Sequence, residues 1–252
     1  MSRRFALLLA LFSATIATTA SAQDGPKLAH SSQMFALELR FSPYRPDVDG
    51  EFANGSTPFA STFGTDNRLL FGIEFDYQPL RLDKIGSLGV GIGASYTKMG
   101  APTLRADTLA ESAGTTSLNI FPFHLVAVAR IDALREATGI PLSFYGKAGV
   151  TTAAWNSTNT VGNVSKVTSG TGTAATVSRA EGMTWGTFFA AGLALDVGFL
   201  DERSAKALDE DVGINHTYLF FELTSQGLTG FGSKTALRLS DLTWNAGLTF
   251  EF

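Results

Sequence analysis

A set of charged and titratable residues could carry chemistry in this sequence, because their spacing would bring their side chains to one surface. Where two of them fall in one segment they stand at alternate positions, which share one face of an extended strand. Carboxylates close to an imidazole, a phenol and an ammonium could exchange protons, line a narrow gated passage, or pair with each other as a polar core. The set comprises Glu38, Arg40, Glu74, Asp76, His124, Tyr145, Lys147 and Glu222.

Hydrolytic chemistry would need a serine hydroxyl within reach of a histidine that an acid orients. Two histidines, His124 and His216, fall on predicted strands. Val126 and Tyr218 stand two residues beyond them, so neither histidine shares a strand face with a nearby serine. A serine on a neighbouring strand could still complete such a site, but the sequence itself predicts no catalytic residue.

The segment Gly89-Val-Gly-Ile-Gly-Ala94 matches a dinucleotide-binding pattern, with Asp107 further along the chain. That motif requires a turn from a strand into a helix, with the phosphate at the helix N-terminus. Here the glycines lead into Ser95-Tyr-Thr97, which continues the alternation of a strand. The chain has no cysteine, so thiolate metal sites are excluded. We therefore predict no cofactor and no metal.

The elements that position these residues are eight segments in which apolar residues alternate with polar or small ones. This period of two is typical of a strand with one apolar face. In the clearest segment, outward Phe71, Ile73 and Phe75 alternate with Gly72 and Glu74. The predicted strands are 34–42, 68–78, 88–97, 118–131, 142–151, 185–197, 215–224 and 241–252.

The connections between these strands alternate in kind. Those after odd-numbered strands are long and polar or glycine-rich, the longest being 155–183, whereas the others are short or helical, with helical turns at 132–139 and 201–213. The apolar faces carry no charge, and a charge facing lipid at mid-bilayer costs roughly 2 to 4 kcal/mol. The sequence therefore predicts an all-β, eight-stranded antiparallel up-and-down transmembrane β-barrel with short periplasmic helical turns. Because the interior of such a barrel is just wide enough for side chains, the charged set should form a paired polar network in its lumen.

The N-terminus has the pattern of a secretory signal peptide. Arg3 and Arg4 precede a short apolar run that ends at Ala20-Ser-Ala22. We predict a signal peptide over 1–22, a periplasmic lead-in over 23–32 and a barrel domain over 33–252. The formal net charge of −4 argues against nucleic acid as a partner.

The last strand alternates apolar and polar residues and ends on an aromatic residue. It resembles the closing strand of bacterial outer-membrane barrels, whose terminal phenylalanine is read by the barrel-assembly machinery. The resemblance implies that Leu248, Phe250 and Phe252 form an assembly signal.

Three further segments, 37–49, 117–123 and 215–222, resemble a family of small outer-membrane barrel proteins of myxobacteria, of the OmpA-like or OmpX-like eight-stranded type. The resemblance implies a place in the outer membrane of a Gram-negative bacterium, in contact with its lipids and lipopolysaccharide. It implies no biochemical activity.

These expectations favour a non-enzymatic structural or surface-interaction protein whose long extracellular loops bind a ligand of unknown identity. One alternative is a barrel enzyme or binder that acts on lipid A or another acyl lipid, and a second is a narrow gated pore. A periplasmic lipocalin-like barrel would need an apolar lumen, and the inward charges speak against it.

Overall fold

A computed structural model describes residues 34–82, 85–104, 111–169, 176–233 and 235–252. The predicted signal peptide and lead-in lie outside these residues. None of the helices in the described part of the chain is long and apolar enough to cross a membrane.

Eight strands form a closed antiparallel barrel in which every strand pairs with its neighbours in chain order. This confirms the predicted up-and-down barrel. A separate two-stranded hairpin is made by β6 (Lys166–Ser169) and β7 (Thr176–Arg179). The barrel strands are β1 (Phe35–Tyr44), β2 (Arg68–Leu82), β3 (Gly86–Leu104), β4 (Glu111–Ile131), β5 (Leu142–Thr158), β8 (Glu181–Asp196), β9 (His216–Gly227) and β10 (Asp241–Glu251).

The first and last strands close the barrel, so Phe35 and Phe252 lie at the same rim. We call this the terminal rim and the opposite one the loop rim. The terminal rim carries the helices α2 (Ala133–Thr138) and α3 (Glu202–Val212), which confirms the predicted helical turns. Each is followed by a glycine with positive φ, 73° at Gly139 and 77° at Gly213, a backbone conformation that terminates helices.

The strands are longer than the sequence predicted on one side of the barrel. β3 and β4 pair as far as Leu104 and Glu111, and β5 runs to Thr158, so much of the predicted loops is strand. These stretches are rich in threonine, serine, glycine and alanine, which pair through their backbones but show little apolar alternation. We call this projection the polar wall; it comprises 98–104, 111–119, 153–158, β6 and β7, without the inward-facing, buried Met99, Leu118 and Ala153.

The segment after β1 also differs from the predicted loop. It contains a 3-10 turn over Asp49–Glu51 and a helix, α1 (Pro58–Phe63). The side-chain oxygens of Asp49 accept hydrogen bonds from the backbone N–H groups of Phe59 (2.7 Å) and Ala60 (3.0 Å) at the start of α1. This contact across ten residues could not be read from a local pattern, and it folds the segment back over the loop rim.

The barrel exterior is an apolar band. Along β2 the outward Phe71, Ile73, Phe75 and Tyr77 are each exposed by 40 to 44%, and the inward residues between them are buried. Aromatic pairs lie towards both rims, for example Phe35 on Tyr77 at a centroid distance of 5.2 Å. An apolar band flanked by aromatic girdles is typical of transmembrane barrels.

Candidate functional site

The middle of the lumen holds all eight residues of the predicted charged set, and all of them are buried. We call these eight residues the charged layer. Ion pairs and hydrogen bonds join seven of the eight side chains into one network, whereas Asp76 has none. An uncompensated buried charge is expensive, so the arrangement of partners determines what this layer can do.

Arg40 spans the lumen between β2 and β9. Its two terminal guanidinium nitrogens form ion pairs with the carboxylates of Glu74 and Glu222. Glu222 also accepts hydrogen bonds from Tyr145 Oη (3.1 Å) and Thr224 Oγ1 (2.8 Å). The guanidinium of Arg40, on β1, therefore joins β2 to β9, which β1 and β10 separate in the barrel.

Lys147 joins two carboxylates on neighbouring strands. Its Nζ lies 2.6 Å from Glu38 Oε2 and 2.6 Å from Glu74 Oε1. Glu74 therefore faces Lys147, Arg40 and the Nε2 of His124, which lies 2.6 Å from Glu74 Oε2. The His124 ring stacks on Phe188 at a centroid distance of 4.5 Å, which fixes its plane.

The strand registers explain how these side chains meet. Glu38 stands opposite Glu74 in the pairing of β1 with β2, and His124 stands opposite Gly93 in the pairing of β3 with β4. A Cβ at Gly93 would overlap the His124 ring, so glycine makes room for the imidazole. The glycines of the dinucleotide-like pattern thus continue β3 past the charged layer, rather than turning into a helix.

Asp76 lies at the edge of this network. Its side chain is fully buried, and neither carboxylate oxygen has a hydrogen-bond partner. Carboxylate oxygens of Glu38, Glu74 and Asp76 lie within 4.8 Å of one another. The charged layer therefore contains a group of three acids of which one is unpaired by the chain.

Apolar side chains close the lumen above the charged layer, on the side of the loop rim. We call them the apolar plug, and α1 supplies Phe59 and the last loop supplies Leu239. The hydroxyl of Tyr44 donates to Leu239 O at 2.7 Å, tying this loop to β1. The plug was not predicted, because it combines loop residues, which carry no strand period, with inward-facing apolar residues from several strands. Its buried members are Tyr44, Val48, Phe59, Leu70, Met99, Leu118, Ile120, Ala153, Leu228 and Leu239.

A further ion pair, apart from those of the charged layer, lies in the lumen near the terminal rim. Arg130 Nη1 lies 2.9 Å from Glu251 Oε1, and Tyr218 Oη donates to Glu251 Oε2 at 3.1 Å. The inward parity of Arg130 and Glu251 was visible in the sequence, but their pairing was not predicted. On α2, Arg135 donates to Tyr218 Oη at 2.9 Å. Burial alone would lower the pKa of Arg135, but Tyr218 and Asp132 outweigh it and the pKa lies above its ordinary value.

The histidines have acids as partners. His124 contacts Glu74 and Arg40, and His216 Nδ1 lies 2.7 Å from Asp196 Oδ2 at the terminal rim. Thr151 stands opposite His124 in register, but its hydroxyl donates to Phe123 O at 3.0 Å. Within the described residues, no serine or threonine hydroxyl is hydrogen-bonded to either of these two histidines.

The proposed assembly residues lie on the last strand. Leu248 is 39% exposed on the barrel exterior, and Phe250 and Phe252 are half-buried. Phe250 stands opposite Leu37 and Thr217 on the two neighbouring strands. Their side chains lie on the outer face of the strand that closes the barrel. Recognition of these residues by an assembly machinery stays a prediction.

Solved structures that resemble the chain are outer-membrane proteins. OprG from Pseudomonas aeruginosa is 13% identical with a TM-score of 0.46, covering 88% of this chain and 97% of that one. Ail, the attachment invasion locus protein of Yersinia pestis, solved with the heparin analogue sucrose octasulfate, is 11% identical with a TM-score of 0.38, covering 87% and 97%. The outer-membrane protease OmpT from Escherichia coli is 8% identical with a TM-score of 0.34, covering 87% and 94%.

These values are too low to carry functional inference. No protein-family model and no curated protein sequence matches the chain.

Proposed function

We propose that this chain is an outer-membrane β-barrel of a Gram-negative bacterium, exported through a signal peptide cleaved after Ala22, and that it acts as a non-enzymatic surface-interaction protein. One observation carries the proposal: the lumen is filled by side chains, while a polar wall projects from the loop rim. A barrel without an open passage, but with a projecting wall, is suited to presenting a surface. The resemblance to small myxobacterial barrel proteins supports this location.

The packed lumen is the argument against a pore. The apolar plug, the charged layer and the Arg130–Glu251 pair follow one another between the two rims. Water or ions would have to displace buried side chains that already pair with each other. The buried network therefore supports a closed barrel better than a narrow gated pore.

The polar wall is the surface that we propose for recognition. β4 has 21 residues, although a transmembrane strand needs only about 9 to 11, so its upper half extends beyond the bilayer. The wall is stabilised by side-chain ladders, such as Asn119 Nδ2 donating to Asn156 Oδ1 at 3.0 Å. Such a surface offers amides and hydroxyls, which suit a polar ligand such as a glycan or an extended peptide. In the membrane the barrel would contact lipopolysaccharide and other outer-membrane lipids, and its assembly would require the barrel-assembly machinery.

Two measurements test this proposal. The barrel reconstituted in planar bilayers should give no steady conductance, with an open porin in the same bilayers as the positive control. Cells that display the protein should adhere to glycan- or matrix-coated surfaces more than cells that display a variant with residues 160–180 replaced by a short turn. Stable channel openings would favour the pore. Equal adherence of the two strains would show that the polar wall does not mediate binding.

A groove on the barrel exterior favours one second candidate, binding of an acyl lipid. The groove has a volume of about 620 Å³, and its walls include Phe41, Leu69 and Trp244. Arg68 lies at the same groove and could meet a lipid phosphate. If an Arg68→Ala variant retains as much co-purified lipid A as the wild type, this candidate is wrong.

A further inference from the structure

The charged layer has an excess of negative charge that its own residues do not balance. Four buried carboxylates share this layer with one guanidinium and one ammonium group. A net charge of minus two remains while His124 is neutral. The acids are Glu38, Glu74, Asp76 and Glu222, and the cations are Arg40 and Lys147.

The excess is concentrated at Asp76. Carboxylate oxygens of Glu38 on β1 and of Glu74 on the same strand lie within 4.8 Å of those of Asp76, and Lys147 already binds both of these acids. The side chain of Asp76 is fully inaccessible to solvent, and neither of its carboxylate oxygens has a hydrogen-bond partner. A buried carboxylate in this state is stable only if a cation or a proton neutralises it, and no side chain of the described residues hydrogen-bonds to it.

The facing strand leaves space for the Asp76 carboxylate. Gly91 stands opposite Asp76 in the pairing of β2 with β3, and a Cβ at Gly91 would overlap Asp76 Oδ1. Any residue other than glycine would therefore push the carboxylate out of its position. Glycine here preserves the gathering of the three acids.

We propose that Glu38, Glu74 and Asp76 form a binding site for one Ca²⁺ ion inside the barrel. Two oxygens bound to the same Ca²⁺ lie at most about 5 Å apart, since each Ca–O distance is roughly 2.3 to 2.6 Å. The three acids offer oxygens within 4.8 Å of one another, which satisfies this limit. A divalent ion also brings the net charge of the layer to zero.

Ca²⁺ suits this site better than the other common hard cation. Mg²⁺ requires nearly ideal octahedral geometry and usually keeps several waters, whereas Ca²⁺ accepts irregular sets of mono- and bidentate carboxylates. The site lies between Lys147 on one side and Gly91 on the other, with the apolar plug above. Because the lumen is closed, the ion is captured during folding and exchanges slowly afterwards.

The test compares protein refolded into detergent micelles with Ca²⁺ or with EDTA. After removal of free ions, the Ca²⁺-refolded wild type should retain about one equivalent of calcium by mass spectrometry. It should also unfold at a higher urea concentration than the EDTA-refolded protein. Calcium added after refolding in EDTA should produce this shift only slowly.

Two variants separate the site from nonspecific effects. Asp76→Asn should retain no calcium and should unfold at the same urea concentration in Ca²⁺ and EDTA, because the orphan charge has been removed. Asp209→Asn, an exposed acid on α3, should behave as the wild type. A wild type that retains no calcium and shows no difference between the two conditions overturns the proposal. In the Ca²⁺-refolded wild type, an infrared band of a protonated carboxyl group that disappears in Asp76→Asn would also overturn it, since a proton rather than the ion would then neutralise Asp76.

Discussion

Phe35 and Phe252 exchange two backbone hydrogen bonds, each 2.9 Å long, between the first and last strands of the barrel. Phe252 O also accepts a bond from Met34 N at 3.2 Å. The terminal residue therefore belongs to the seam that closes the sheet. Its side chain is half-buried, so its packing should add less to the stability of the folded barrel than that of a fully buried phenylalanine.

Removal of this residue should separate folding from assembly. Deletion of Phe252 removes at most one buried phenylalanine, roughly 1.5 to 3 kcal/mol, together with its seam hydrogen bonds. We expect a modest loss of urea resistance in refolded protein but a much larger loss of heat-modifiable protein in cell membranes. Phe252→Ala keeps the backbone bonds and serves as the comparison. Equal cellular yields of the deletion variant and wild type would show that the residue is not an assembly signal.

Lys147→Met should destabilise the barrel. It leaves Glu38 without its cation, and removing one partner from a buried pair typically costs about 3 to 5 kcal/mol. The measurement is the urea midpoint of refolded protein. Lys166→Met, at an exposed position of the hairpin, is the control and should unfold with the wild type. If the two variants unfold at the same urea concentration, the ion pairs of the layer contribute no stability.

Gly93→Ala should disturb the same layer sterically. Its Cβ would overlap the ring of His124 and push it away from Glu74, and overpacking of this kind costs typically about 1 to 3 kcal/mol. Gly100→Ala, also on β3, is a matched control, since its Cβ would meet nothing nearer than Ser117 Oγ at 3.8 Å. Urea midpoints that fall by the same amount in both variants would mean that the loss of glycine, rather than contact with His124, is responsible.

The orientation of the barrel can be measured with single cysteines, because the chain has none of its own. Val161 is 76% exposed beyond β5 on the loop rim, and Asp209 is exposed on α3 at the terminal rim. In intact cells a membrane-impermeant maleimide should label Val161→Cys and leave Asp209→Cys unlabelled until the outer membrane is opened. The reverse pattern would place the terminal rim outside.

The sequence predicted the fold because membrane barrels impose a regular surface. On β2 and β10 the outward residues are apolar at every second position, and that period reports which face meets lipid. The same parity placed Glu38, Lys147 and Glu222 in the lumen. It could not say which acid meets which base, because pairing depends on register and on side-chain reach across the barrel.

The parts that escaped sequence reasoning are those without a lipid boundary. Thr158 and Leu104 lie in strands that project beyond the bilayer, where no solvent difference enforces alternation. The apolar plug depends on contacts such as Tyr44 with Leu239, which are far apart in the chain. The sequence could not predict that Asp76 lacks a hydrogen-bond partner. Asp76 and Glu74 have the same inward parity on β2, and only the side-chain contacts in the lumen distinguish them.

The polar wall makes this barrel suitable as a display scaffold. Register around the barrel is held by the lumen and by the seam of β1 and β10, whereas β6 and β7 pair only with each other. Sequence exchanged at that hairpin would alter what the cell presents without altering how the barrel is built. Variation in this hairpin would change the antigenicity of the loop rim while the barrel strands stay the same.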